Sequence, residues 1–154
     1  MAGDHHALTM LDKAADAKSV SQWTPEIADE FAREAASPNP CVGSELLSEN
    51  DRTRVWIIRL APGERIGFHR HVLDYFWTSV NGGRGRQHVH DGTTVEYTYR
   101  PGETRHESYA KGEYKVHDLE NTGDAEMVFM TVEFKASANA PLPLPAGLRP
   151  LAAA

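Results

Sequence analysis

Three shortages narrow the possibilities before any motif is read. The chain has one cysteine, Cys41, among 154 residues, so no disulfide can form within it. No apolar run is long enough to span a bilayer as a helix. The first ten residues contain Asp4, His5 and His6 in place of an apolar leader, which points away from secretion. Basic charge is also short: 16 Lys and Arg stand against 22 Asp and Glu, a net charge of −6. Nucleic acid and anionic membranes need a positive footprint, so neither is expected as a partner. A small anionic ligand remains compatible, because a few well-aimed cations act locally. The expected home is a reducing cytoplasm, with Cys41 a small hydrophobe rather than a nucleophile.

What the chain does have is ordinary globular composition, 40% hydrophobic and 25% charged, and a length that suits one domain. Residues 1–40 read as an N-terminal arm followed by a helix. Over 24–36, Thr24 can cap, Pro25 suits the first turn and Glu26 meets the positive end of the dipole. Ile27 and Phe31 share a face with Ala28, Ala32 and Ala35, and Ser37-Pro38-Asn39-Pro40 stops the helix.

From residue 41 to 136 the period changes to two. Turn signals recur at Ser48–Asp51, Pro62-Gly63, Asn81-Gly82-Gly83, Asp91-Gly92, Pro101-Gly102 and Thr122-Gly123-Asp124. Between them lie short runs rich in Val, Ile, Thr and aromatics, Val55–Ile58 among them. About eight to ten strands with no helical pattern between them predict an all-β sandwich or barrel. Residues 137–154 form an extended tail rich in Pro and Ala, expected to lie on a partner or in solvent.

The chemistry concentrates in Phe68-His69-Arg70-His71. On a strand, side chains alternate, so His69 and His71 face one way and Arg70 the other. Two imidazoles so placed can chelate one divalent ion. Continuing the alternation puts Leu73, Tyr75 and Trp77 on that same face.

Here the sequence resembles the cupin superfamily. Gly63, His69 and His71 match the opening of its first motif, and Gly82 or Gly83 its closing glycine. The motif's glutamate ligand falls on Tyr75, so that carboxylate is missing. His117 and Asn121 supply the His-x3-Asn of the second motif, although Gly112-Glu113-Tyr114 replaces the Pro-x-Gly before it. His-Arg-His-x-x-Asp-Tyr and Val132–Lys135 are similar to a narrower group of small bacterial cupins, one member of which is assigned to β-alanine degradation.

The resemblance implies a cupin jelly-roll β-barrel in which His69, His71 and His117 hold one divalent metal ion. Fe, Ni, Zn, Cu and Co all suit an all-imidazole set. His106, after Pro101-Gly102, competes with His117 for the third place. His88 and His90 form a second His-x-His beside a turn and read as surface residues, while His5 and His6 lie in the arm. Tyr75 could act as an acid or orienter, or simply fill the core. Phe68, Trp77, Val95, Tyr97, Tyr99, Met127 and Phe129 are expected to line the barrel. Arg65, Arg84, Arg86 and Arg100 could each hold a carboxylate.

The expected function is a metal-dependent enzyme, dioxygenase-like or otherwise catabolic, on a small polar or carboxylate-bearing metabolite. Two alternatives stand beside it: a non-catalytic small-molecule binder, and a metal-independent isomerase or epimerase using a histidine base and Tyr75. A homodimer is expected, because the terminal segments are poorly placed to bury themselves on one small barrel.

Overall fold

A computed structural model describes residues 17–18 and 23–151. The arm with His5 and His6 lies outside the described residues. Thr24 caps helix α1 (Pro25–Ala36), its side chain accepting from the Ile27 amide. Ile27 and Phe31 pack on Trp23, Phe68 and Val116, as their spacing requires. The neighbouring alanines behave differently: Ala32 and Ala35 are exposed and Glu34 is buried. Glu34 is kept inside by its partners, accepting from the Asn39 amide and from Arg70.

Ten strands are described: β1 (Ala17–Lys18), β2 (Glu45–Glu49), β3 (Thr53–Leu60), β4 (Arg65–His71), β5 (Tyr75–Ser79), β6 (Gly83–His88), β7 (Thr94–Tyr99), β8 (Thr104–Glu107), β9 (Lys115–Asn121) and β10 (Met127–Phe134). They form two five-stranded sheets of order β1-β7-β6-β9-β4 and β2-β3-β10-β5-β8, paired antiparallel throughout. The two sheets enclose a core of Ile58, Leu60, Val89, Val95, Tyr97, Tyr99, Leu119, Met127 and Phe129, with Trp77 packed against it. This is the expected all-β jelly-roll with a helix at its N-terminal side. Phe68 departs from expectation, since it sits outside the barrel under α1.

The turns fall where Gly and Pro predicted them. Gly82 shows why: its φ is +75°, and a Cβ there would meet the Tyr99 carbonyl oxygen at 2.9 Å. The tail also departs from expectation. Leu144 and Leu148 pack on Val42, Leu46 and Trp56, and Arg54 donates to the Leu142 carbonyl. This part of the tail therefore buries its leucines on its own barrel, which removes part of the reason for expecting a partner.

Candidate metal centre

The inner face of the first sheet carries the histidines, and a bulge puts them there. In the β4–β9 pairing, Ile66 lies opposite Leu119 and His69 opposite His117, so β4 uses three steps where β9 uses two. The extra residue reverses the alternation at Gly67-Phe68. Phe68 is thereby sent under the helix, and His69 and His71 turn inward. His117, directly across from His69, needs no such device.

The three rings converge. Their ligand nitrogens all lie within 4.8 Å of one another, and the Nε2 atoms of His71 and His117 are 3.1 Å apart. An ion about 2.1 Å from two imidazole nitrogens at a near-right angle sets those nitrogens about 3 Å apart. The donor set therefore fits a divalent ion. Ring orientation fits as well. His69 Nδ1 lies 2.9 Å from the Gly67 carbonyl, and His117 Nδ1 lies 2.7 Å from Gln87 Oε1. Each Nδ1 donates outward, leaving Nε2 with its lone pair toward the centre. Burial holds His69 down at about 4, and His117 is pushed well below its usual range by burial and by the Lys115 charge. Both are neutral near pH 7, the form that binds metal.

A cavity opens beside the cluster. Both sheets line it. Tyr75 and Trp77 reach it from β5, in the sheet opposite His69 and His71, and not by one continuous alternation along the chain. The Tyr75 ring stacks on His71, with centroids 4.1 Å apart and an interplanar angle of 12°. Burial, followed by the neighbouring Tyr109, raises the Tyr75 hydroxyl well above its usual range, so it keeps its proton.

The remaining candidates separate cleanly. His106 is exposed on β8, against Phe76, and His117 takes its place in the cluster. His90 is exposed as expected, but His88 is buried, its Nδ1 2.7 Å from Asp118 Oδ2. Arg65 is committed to Glu30 and Asp118, and Arg86 to Glu96 and Glu120. None of the four arginines singled out in the sequence lines the cavity.

No family model matches the chain, and no curated protein does. Solved structures do. A cupin domain from Bordetella pertussis Tohama I is 28% identical, over 59% of this chain and 90% of that one, with a TM-score of 0.52. The chain belongs to the cupin superfamily. It is also similar to a cupin family protein with a double-stranded β-helix fold from Methanocaldococcus jannaschii, at 16% identity over 58% of this chain and 76% of that one, TM-score 0.48. A sugar phosphate isomerase from Silicibacter pomeroyi matches at 22% identity over 55% of this chain and 51% of that one, TM-score 0.41.

Sequence reasoning missed five polar residues that line the cavity of this cupin: Gln87, Arg105, Glu107, Lys115 and Thr131. Lys115 was the most accessible of them, since it stands two residues before His117 on one strand and so shares its face. Gln87, Arg105, Glu107 and Thr131 come from other strands, and no local pattern marks them.

Proposed function

We propose that this cupin is a metal-dependent enzyme acting on a small polar or carboxylate-bearing metabolite, with His69, His71 and His117 as its metal ligands. The convergence of three imidazole nitrogens beside a cavity carries this reading. A divalent ion bound there supplies a Lewis acid, or an oxygen-activating centre if it is iron. The other groups of the wall bind and orient. Tyr75 holds its proton at the phenol oxygen and can donate a hydrogen bond to a substrate oxygen. Trp77, Tyr97 and Phe129 exclude water from the reacting end.

Elemental analysis of protein purified without chelators tests the reading, wild type beside His71→Ala. About one ion per chain is expected in the wild type and none in the variant. Wild-type protein that holds no metal, and takes up none on reconstitution, would overturn the proposal. A second reading has its own observation: the protonated Tyr75 against His71 could serve a metal-independent isomerase. Turnover that survives thorough chelation would favour it.

A further inference from the structure

We infer that Lys115 is the carboxylate-binding residue of the cavity, and that the ligand is a short-chain acid whose other end lies at the histidine cluster. This rests on the metal-centre reading above.

Charge is the first argument. The three ligands are neutral imidazoles, and Tyr75 stands where the family's first motif has its glutamate. A divalent ion would keep its full charge with no protein anion to offset it. The wall adds Arg105 and Lys115 against the single carboxylate Glu107. Such a cavity selects an anion.

Lys115 is also the more buried of the two cations. Arg105 is partly exposed and its Nε lies 3.5 Å from Glu103. Lys115 is 5% exposed and lines the cavity, and burial lowers its pKa against the opposing pull of Glu107 and Asp91. A buried ammonium without a hydrogen-bonded counter-charge is costly, and a carboxylate ligand would remove that cost.

Position sets the length of the acid. Lys115 lies two residues from His117 on β9 and directly opposite His71 on β4. Two strand positions span about 7 Å. Beyond the cluster the wall turns to Leu119, Tyr99 and Phe129, which offer little to a longer polar chain.

Calorimetric titration of zinc-loaded protein with glycolate, 3-hydroxypropionate and 4-hydroxybutyrate tests the inference, with 1,3-propanediol as the uncharged control. Wild type is compared with Lys115→Met and Lys115→Arg, and zinc content and thermal unfolding are measured for each. Expected are binding of at least one acid and none of the diol, a loss of at least tenfold in Lys115→Met, and partial recovery in Lys115→Arg. Zinc content should be unchanged. Equal affinity in wild type and a folded Lys115→Met overturns the inference while leaving the metal centre intact, as does the absence of binding by every acid. If Lys115→Met does not fold, wild type and Lys115→Arg decide: equal binding of acid and diol by both overturns it. Lys115-dependent acid binding in a wild type that takes up no zinc would support the anion site and sink the metal-centre proposal instead.

Discussion

At the scale of single residues, the centre depends on groups that never touch the ion's position. Gln87 is the example. Its Oε1 lies 2.7 Å from His117 Nδ1, and its Nε2 lies 2.9 Å from the Tyr99 hydroxyl. The amide thus bridges the His117 ring and the Tyr99 hydroxyl. Replacing Gln87 by Leu removes the acceptor and frees the ring to adopt the wrong tautomer. Metal affinity in a competition assay against a chromophoric chelator should fall about ten- to a hundredfold, while Gln87→Glu, which keeps an acceptor, should lose less. Unchanged affinity in Gln87→Leu would show that packing alone orients the ring. The His-x-His pair was legible because alternation is a local rule. Gln87 was not, because it lies 30 residues from His117 and the two meet only through the pairing of β6 and β9.

At the scale of elements, α1 is fastened to the outside of the sheet that carries the histidines. Glu30 accepts from both terminal nitrogens of Arg65, at 2.9 and 2.8 Å, and from the Phe68 amide. Arg65 Nε reaches Asp118 Oδ2 at 2.6 Å, and the same fully buried carboxylate accepts from the His88 amide and faces its ring. The helix thus grips the bulge of β4 and, through Arg65, the residue beside His117. Asp118→Ala should cost about 3–5 kcal/mol, because it strands partners of a buried charge. Glu30→Ala, at a partly exposed site, should cost about 1–3 kcal/mol. Urea denaturation of the metal-free variants measures both, and a reversed order would show that Glu30, not Asp118, anchors the network. Thr24, Pro25 and Ile27 announced the helix, but nothing near Glu30 announced its partner 35 residues away.

At the scale of the whole molecule, buried histidines and a buried glutamate set opposing responses to pH. Burial lowers His69 from 6.5 to about 4. The unfolded chain then binds the extra proton, so the metal-free protein loses stability as pH falls from about 6.5 toward 4. Burial raises Glu133 from 4.5 to about 7, against the opposing hydrogen bond from Trp56. Here the native state holds the proton, so the stability it contributes is present below 4.5 and lost as pH rises through about 7. Between these limits the two slopes oppose each other. Glu133→Gln removes one of them. Its stability relative to wild type should climb from pH 4.5 to above 7 by on the order of 3 kcal/mol, and its own profile should slope more steeply across the acid range. Thermal unfolding of metal-free protein across that range checks it. A pH-independent difference between the two proteins would mean that Glu133 titrates in the fold as it does in the unfolded chain.

The sequence by itself determined the helix, the class of the fold, the turns and the pairing of His69 with His71, because capping, two-residue alternation and glycine geometry act over a few residues. Tertiary structure decided the rest. A one-residue bulge turned His69 inward and Phe68 outward, a β6 amide met the ring of His117, and the opposite sheet brought Tyr75 against His71. It also put Lys115, Arg105 and Glu107 around one cavity and laid the Pro-rich tail on its own barrel. The physical reason is common to these outcomes: each depends on which strands become neighbours, and strand pairing joins residues whose separation in sequence carries no periodic signal.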